Sequence, residues 1–355
     1  MSTWIETDRG SVVVRTRGRV PVSGRIPVRG TLVCAGIVVL TLAVTLLALM
    51  LGSVVYSPAE VFTAVFGEAP RSVELFVVQW RLPRALAAAV FGALLGMAGG
   101  LFQGITRNPL GSPDIIGFTA GASAGGVAVV AFIGSGYFLV AGGALTGGLV
   151  VAALVMLLSR GGGVSGFRLV IVGIGLSAML VSLESWFILT ADLELAQVAA
   201  LWSAGSLNGT SFTFTGPALV TGCLALVLVG ALMSRRLTLL DLGDDMSASL
   251  GVPPERTRLM AMVSGVVLVA IVTAAAGPIS FVALAAPHIG RRLAGASGTA
   301  LGPATCAGSF ILASADLLSQ HAIPDHTLPV GVVTVAIGGL YLMTLLVREN
   351  RKGTL

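Results

Sequence analysis

Charged residues and histidine are scarce in this chain. Asp, Glu, Lys and Arg together make up 10% of its 355 residues, and there are three histidines. A soluble domain carries about 25% charged residues, so the composition excludes a water-soluble globular domain. Hydrophobic residues reach 55% and the mean hydropathy is +0.97. The sequence therefore predicts an all-α polytopic membrane protein.

Cysteine is rare too, and no strong metal-binding pattern accompanies it. Cys34, Cys223 and Cys306 lie inside apolar runs, which favours small buried side chains over a disulfide framework. His321, Asp325 and His326 lie close together, but three ligands on one short loop without cysteine are a weak signal. We predict no metal site.

The excess of basic residues does not indicate a nucleic-acid partner. The net charge is +5, but most basic residues flank apolar runs, where they report orientation in the membrane. Residues 1–29 contain six arginines and few large apolar residues. We interpret them as a basic cytoplasmic tail that is disordered or lies on the lipid surface.

Glycine, in contrast, is abundant, with 47 of 355 residues. The uncharged run 85–106 would form a helix of about 33 Å, enough to cross a bilayer core of about 30 Å. Four glycines recur there at every fourth position: Gly92, Gly96, Gly100 and Gly104. This spacing places them on one helix face and predicts close packing against another helix.

The uncharged runs predict ten membrane spans. The runs 115–159 and 259–290 are long enough to hold two spans each, with breaks at Gly134-Ser135-Gly136 and Gly277-Pro278. The predicted positions are 31–51, 82–105, two spans in 115–159, 169–190, 216–233, two spans in 259–290, 302–320 and 328–347. A short external helix is expected to start at Ser57-Pro58.

The distribution of basic residues predicts the orientation. On this map only Arg71, Arg81 and Arg84 of the 21 Lys and Arg residues lie outside. The positive-inside rule therefore places both termini in the cytoplasm. The predicted organisation is a tail over 1–29, a membrane domain over 30–350 with a large cytoplasmic loop at about 235–258, and a short tail over 351–355.

Four separated motifs carry a resemblance to a known family. They are RLPR at 81–84, TRNPLGSPDIIGF at 106–118, GPISFVALAAPHIGRRLAG at 277–295, and ADLLSQ at 315–320 followed by LPVGVVTVAIGG at 328–339. In this order they resemble the FecCD family of ABC-importer permeases, which carry ferric siderophores, vitamin B12 or haem across the bacterial inner membrane. The residues of the motif NPLGSPDIIGF at 108–118 are most similar to those of the ferric-siderophore branch.

The resemblance implies the type II importer permease fold with ten transmembrane helices, in a multi-pass protein of the bacterial cytoplasmic membrane. It also implies several partners besides membrane lipid: two ABC ATPase subunits, a second permease subunit that is a paralogue or another copy, and a periplasmic or lipoprotein substrate-binding protein. The implied substrate is a ferric siderophore. The chain lacks the G-x-x-x-x-G-K-[ST] motif, so we expect ATP and Mg²⁺ on the partner, no cofactor here, and no enzymatic activity of its own.

The resemblance assigns Arg81 and Arg84 to docking of the binding protein through its carboxylates. The alternative is that they are anchors at the membrane interface. The family has a third arginine where this chain has Gln320, followed by His321. Docking is therefore expected to be weaker or differently paired, and His321 could substitute when protonated.

On the cytoplasmic side the resemblance implies an ATPase-coupling loop and a gate. The coupling residues are expected to be Asp244, Asp245, Met246, Ser249, Leu250 and Gly251. Asp244 is a plausible N-cap, Gly251 a residue just past the helix end, and Pro254 opens a second turn. The gate is expected at Asn108 and Leu110 and near Gly166 and Phe167; a turn-capping role is the alternative for Asn108.

Glu184 and Asp316 are the two acids inside the predicted spans. Intramembrane acids usually face a cavity or a partner, and the resemblance places Glu184 at or near the translocation pathway. For Asp316 a structural hydrogen-bonding role is equally compatible. Two isolated carboxylates do not form the relay that an ion-coupled secondary transporter requires, and the sequence shows no catalytic constellation for a membrane-embedded enzyme. A vitamin B12 or haem importer remains the alternative within the family.

Overall fold

The structure is a computed structural model that describes residues 3–8, 11–16, 23–67, 69–134, 136–158, 166–190, 197, 199, 202–323 and 326–351. Helices dominate it. They are α1 Val28–Met50, α2 Pro58–Phe66, α3 Arg71–Glu74, a π-helical segment Leu75–Arg81, α4 Leu82–Thr106, α5 Phe118–Phe132, α6 Tyr137–Leu158, α7 Gly166–Thr190, α8 Phe212–Leu240, α9 Asp244–Ser249, α10 Pro254–Ala276, α11 Val282–Ala294, α12 Leu301–His321 and α13 Val330–Arg351.

Three short strands precede α1. They form an antiparallel sheet in the order β1-β2-β3, with the bounds β1 Thr3–Asp8, β2 Ser11–Thr16 and β3 Ser23–Pro27. The pairing places Thr3 opposite Thr16, and Ser11 opposite Pro27. From the sequence, residues 1–29 were expected to form a disordered or surface-lying tail, and these strands were not predicted. Their β-branched residues, such as the three valines of β2, favour an extended backbone.

α4 lies at the centre of the helical part. It packs against α8, α10, α11 and α12, and its Phe91, Leu94 and Phe102 side chains are fully buried. Phe102 stacks on Phe118 at the start of α5, with 5.0 Å between the ring centroids. A helix covered by protein on all sides needs no lipid-facing stripe, which explains the apolar character of α4 all round.

The glycines of α4 lie against α12 and the residues just before it. A methyl group at Gly92 would meet the carbonyl oxygen of Gly308. The other three have close neighbours in the same region: Gly96 against Ala304, Gly100 against Leu301, and Gly104 against Thr299. The two backbones therefore approach as closely as small residues allow, which is how helices gain contact area in lipid.

Two helix breaks are confirmed where the sequence predicts them. α5 ends at Phe132 and α6 begins at Tyr137, on either side of the Gly134–Gly136 break. α10 ends at Ala276, and Gly277 follows with φ +70°. α11 is a helix of 13 residues with Pro287 inside. It is therefore shorter than the helix of about 20 residues that a bilayer crossing usually needs.

The predicted helix at Ser57 is also confirmed. Ser57 caps α2, with Pro58 at its first position and Glu60 completing a capping box. The Glu60 carboxylate accepts bonds from the Ser57 backbone N–H at 2.7 Å and from the Ser57 hydroxyl at 2.8 Å. These bonds lower the pKa of Glu60 and fix the entry of the chain into α2.

The ends of two helices extend into the predicted cytoplasmic loop. The cytoplasmic loop was expected at about 235–258, but α8 continues to Leu240 and α10 begins at Pro254. Arg235 and Arg236 lie within the last turns of α8. Long arginine side chains reach polar surroundings from a helix, so charge alone did not mark the helix end.

Seven helical stretches are long and apolar enough to cross a membrane in the part of the chain that the structure describes. They are Val28–Met50, Arg71–Thr106, Tyr137–Leu158, Arg168–Thr190, Phe212–Leu240, Pro254–Ala276 and Leu301–His321. The helices Phe118–Phe132 and Val330–Tyr341 are shorter and apolar.

We expect Gly96→Leu to destabilise the protein, because the new side chain would strike the α12 backbone. Overpacking a core typically costs about 1–3 kcal/mol, and a backbone neighbour has little room to move. The midpoint of thermal unfolding in detergent should therefore fall. The matched control is Gly36→Leu on α1, where a methyl group meets nothing within 4 Å. An equal effect of both substitutions would contradict the packing role of Gly96.

Candidate functional site

An ion pair joins α4 to α12 near the predicted outer end of both helices. The Arg84 Nε lies 3.0 and 3.1 Å from the two carboxylate oxygens of Asp316, and its Nη2 lies 2.9 Å from Oδ1. The exposed fractions of the side chains are 14% for Arg84 and 2% for Asp316. A forked contact of this kind fixes the relative position of the two helices.

The third expected docking position is part of the same network. Gln320 donates from Nε2 to Asp316 Oδ2 at 2.9 Å, and Arg84 also approaches the Ser319 hydroxyl at 3.4 Å. His321 is exposed, and its Nδ1 lies 2.9 Å from the Leu317 carbonyl oxygen. Gln320 thus helps to satisfy a buried carboxylate in the place where the family has an arginine.

Arg81 closes the end of α1 and the turn that follows it. Its guanidinium donates to the carbonyl oxygens of Leu49 at 2.9 Å, Met50 at 3.2 Å and Val54 at 2.7 Å. It also lies over the Tyr56 ring, 5.1 Å from the centroid. Carbonyl groups at a helix end lack hydrogen-bond donors within the helix, and the Arg81 guanidinium provides these donors.

Both arginines line an open cavity of about 410 Å³ on the predicted outer side. Its wall includes Trp80, Thr210, Ser211 and Gln320. From the sequence, Arg81 and Arg84 were expected either to dock the binding protein or to anchor the chain at the membrane interface. The structure adds a third role, because both side chains hold neighbouring helices together inside the protein. Each guanidinium already has internal acceptors, so any carboxylate that docks here has to share the arginine with them.

A second ionic cluster lies at the opposite ends of the helices. Asp244 Oδ1 accepts from Arg107 Nη2 at 2.9 Å and from Arg258 Nη2 at 2.8 Å, and Arg258 also reaches Oδ2 at 3.0 Å. Arg107 follows α4, Asp244 begins α9, and Arg258 lies in the first turns of α10. Three elements therefore meet at one carboxylate.

The expected gate turn lies directly beside this cluster. The Asn108 side-chain oxygen accepts the Leu110 backbone N–H at 2.9 Å, which is the turn-capping geometry that the sequence analysis kept as the alternative. Leu110 is exposed. The other half of the expected gate lies at the start of α7, where Gly166 is the first helical residue; the side chain of Phe167 lies outside the described residues.

The expected coupling loop contains the short helix α9. The structure corrects its start: Gly243 is the N-cap and Asp244 the first helical residue, because the Asp244 carboxylate binds the two arginines instead of the helix N–H groups. Gly251 follows the helix with φ +81°, and Pro254 is the first residue of α10, where the sequence predicted only a second turn.

α9 presents an exposed surface. Met246 is 54% and Leu250 52% exposed, and Asp245 and Ser249 are exposed beside them. The Ser249 hydroxyl donates to the Met246 carbonyl oxygen at 2.8 Å. Two large apolar side chains, Met246 on this six-residue helix and Leu250 directly after it, form a surface suited to a protein partner.

Glu184 lies within α7 and has a polar neighbour on α5. The Ser123 hydroxyl lies 3.3 Å from both of its carboxylate oxygens. Of the seven long apolar stretches, Arg168–Thr190 in α7 is the least buried, since only 11% of its apolar segment lies inside the protein. Glu184 is therefore a partly exposed intramembrane acid on a helix that is largely uncovered in the single subunit.

Sequence reasoning missed another carboxylate that is hydrogen-bonded inside the protein, Asp114. Its Oδ1 accepts from the Thr119 hydroxyl at 2.6 Å, and its Oδ2 from the Phe281 backbone N–H at 3.0 Å. Phe281 has φ +69° and immediately precedes α11. Asp114 lies one residue outside the uncharged run 115–159, so it was assigned to the loop between two predicted spans. The sequence feature that could have indicated its bonded state is the hydroxyl of Thr119, five residues later.

The described residues contain no group of three or more His, Cys, Asp or Glu side chains able to hold a metal ion. Of the three residues considered in the sequence analysis, Asp325 lies outside the described part. His326 pairs with Ile323 in an isolated β-bridge, and His321 lies two residues before Ile323.

Comparison with known proteins identifies the family. The FecCD transport family model matches residues 40–348. The chain belongs to the FecCD transport family. The resemblance stated from the four motifs is confirmed.

Curated FecCD relatives are permeases of iron-uptake systems. The chain is 47% identical to the ferric enterobactin transport system permease protein FepG of Escherichia coli (strain K12), over 85% of this chain and 91% of the relative. It is 33% identical to the iron(3+)-hydroxamate import system permease protein FhuG of Bacillus subtilis (strain 168), over 88% of this chain and 95% of the relative.

A solved structure supports the same FecCD assignment. A metal-chelate type ABC transporter in an inward-facing conformation matches with a TM-score of 0.77 and 27% identity, covering 90% of this chain and 99% of that one. The FecCD match includes Arg84, Asp316 and the ionic cluster around Asp244, so all the sites described above lie within the family domain.

We expect Arg84→Ala to destabilise this FecCD chain. The substitution leaves the buried Asp316 carboxylate without its cation, and breaking a buried pair costs about 3–5 kcal/mol. Thermal unfolding in detergent measures the loss. Arg71→Ala, at an exposed position on the same predicted side, is the control.

The double substitution Arg84→Met with Asp316→Leu should recover most of that stability, because no charge is then left unpaired. If Arg84→Ala unfolds at the same temperature as Arg71→Ala, the pair has no structural role.

Proposed function

We propose that this chain is the transmembrane permease subunit of an ATP-driven ABC importer for ferric siderophores. The observation that carries the proposal is the 47% identity to a ferric enterobactin permease over 85% of the chain. The other relatives named above share the same chemistry, since hydroxamates are also ferric chelators. The chain would form half of a translocation pathway and bind no cofactor itself.

The proposed topology has ten membrane crossings with both termini in the cytoplasm of a bacterium. The seven long apolar stretches, the shorter α5 and α13, and the interrupted α11 would supply them. The distribution of basic residues supports this, because Arg107, Arg258 and Arg291 then lie on the cytoplasmic side. The membrane is the inner membrane, where permeases of this family act.

The ATPase partner is proposed to bind the α9 surface. ATP and Mg²⁺ belong to that partner, because this chain has no phosphate-binding loop motif in its sequence. The exposed Met246 and Leu250 side chains offer an apolar contact, and the exposed Asp245 adds an acidic group beside it. A short helix of this kind gains stability from a partner.

The substrate-binding protein and a second permease are the other proposed partners. The open cavity lined by Arg81, Arg84 and Gln320 lies on the outer side in the proposed topology and would receive acidic groups of the binding protein. The second permease would cover α7 around Glu184, because an intramembrane carboxylate is poorly suited to lipid and the helix is little buried in the single subunit.

The carboxylates argue against an ion-coupled secondary transporter. Asp316 is paired with Arg84, and Asp114 accepts two hydrogen bonds inside the protein. Of the acids in the described membrane region, Glu184 alone is left for ion binding. A proton or sodium pathway needs several such groups in sequence, so ATP-driven import fits the structure better.

Uptake by the purified complex tests the proposal. The chain is isolated from its native membrane with its partners, reconstituted in vesicles, and supplied with the binding protein and ferric enterobactin carrying radioactive iron. We expect uptake that requires ATP. Uptake driven by a proton or sodium gradient without ATP would contradict it; uptake of vitamin B12 or haem in place of the ferric chelate would overturn the substrate assignment alone.

We expect Met246→Glu with Leu250→Glu to release the ATPase. Two carboxylates would replace the apolar contact and add charge beside Asp244 and Asp245, so co-purification should be lost. Ile323→Glu, an exposed apolar position at the other end of the bundle, should leave it intact. Retention of the ATPase by the double variant would refute the α9 contact.

The proposed topology predicts opposite labelling at two loops. In a variant without native cysteines, a cysteine at Asn208 should react with a membrane-impermeant thiol reagent from outside, and one at Leu242 only after the membrane is opened. Both side chains are exposed, and they lie on either side of α8. Labelling of both from the same side would exclude the proposed crossing by α8.

A further inference from the structure

The end of α4 is tied to the start of α9 by charge. Asp244 is shared between Arg107 and Arg258 at distances of 2.8–3.0 Å. We name these three side chains the ion triad. Arg107 belongs to the turn after α4, and Asp244 is the first residue of the helix to which the ATPase is proposed to bind.

Arg107 is held at more than one point. Its backbone has φ +49°, a left-handed conformation that is uncommon for a residue with a side chain, and it ends α4. Its Nη2 also donates to the Leu240 carbonyl oxygen at the end of α8, at 3.3 Å. The residue therefore connects the ends of α4 and α8 to α9.

The turn that follows Arg107 is short and internally bonded. The Asn108 side chain holds the Leu110 N–H at 2.9 Å, and the Asn108 carbonyl oxygen accepts the Gly111 N–H at 2.9 Å. A turn closed by two such bonds moves as a unit when its first residue moves. A shift of Asp244 would therefore reach Leu110 through Arg107.

Two members of the triad are exposed, with side-chain exposures of 53% for Arg107 and 46% for Asp244, and Arg258 is partly exposed at 23%. Exposed ion pairs add little to folding stability. Their weakness suits a contact that changes partners during a cycle, because one carboxylate between two guanidinium groups can shift from one to the other. A stabilising role would favour a buried pair such as Arg84 with Asp316.

We propose that Arg107 is a positioning residue that transmits movement of α9 to the turn 107–110 through Asp244. The proposal rests on the proposed function, since it requires a partner ATPase that acts on α9. It goes beyond docking of the ATPase: it assigns the step after docking, by which ATP hydrolysis changes the pathway, to one ion triad in this chain.

A neighbouring contact provides a matched control. Asp241, at the end of α8, accepts from the Thr299 backbone N–H at 2.6 Å and from its hydroxyl at 2.9 Å. Asp241 lies three residues before Asp244 and is also exposed, but it joins α8 to the segment before α12 instead of the turn after α4. Asp241→Asn removes a similar link from the same loop.

The test measures ATP hydrolysed per ferric siderophore imported by the reconstituted complex. We expect Arg107→Gln and Asp244→Asn each to raise this ratio at least about fivefold, the lower end of couplings between sites. The double variant should be no worse than either single one, because both remove the same contact. Arg107→Lys should restore much of the coupling, and Asp241→Asn should keep the wild-type ratio.

Each other outcome has a definite meaning. A wild-type ratio in Arg107→Gln would overturn the proposal, as would effects of the two single variants that multiply in the double variant. If Asp244→Asn loses the ATPase, Arg107→Gln decides, because Arg107 lies outside α9. Failure of the wild-type complex to import any ferric chelate with ATP would refute the proposed function, whereas coupled import in every variant would refute the triad alone.

Discussion

The close backbone contact between α4 and α12 is the constraint on which the rest of the structure depends. Lipid does not drive helices together as water does, so the contact relies on small residues that let many atoms touch. Gly92 and Gly96 supply it from α4, facing Gly308 and Ala304. The Arg84–Asp316 pair then fixes the register at one end of the same two helices. α8, α10 and α11 pack around this pair of helices.

This arrangement separates two chemical surfaces at the ends of one buried helix. At the predicted outer end of α4, arginines are engaged by Asp316 and by the carbonyl groups of α1, next to an open cavity. At the other end, Arg107 meets Asp244 and the exposed helix α9. A buried helix between the proposed binding-protein surface and the proposed ATPase surface is well placed to relate events on the two sides of a membrane.

The sequence predicted most of the helices because a long uncharged run has few alternatives in a membrane. The breaks at Gly134 and Gly277 were predictable from glycine and proline. Contacts between distant residues were not: nothing near Asp316 identifies Arg84 as its partner. Asp114 was missed because it lies at the edge of an apolar run. The strands before α1 were missed because arginine content favoured a disordered segment over the β-branched pattern.

The buried carboxylates also constrain the order in which the chain can be assembled. Asp114 bonds to Phe281, 167 residues later, and Arg84 to Asp316, 232 residues later. A ribosome delivers α4 and the following turn to the bilayer long before these partners exist. The first half of the protein must therefore enter the membrane with polar groups still unmatched, held by water, lipid headgroups or the insertion machinery, and it becomes fully satisfied only when the last third arrives.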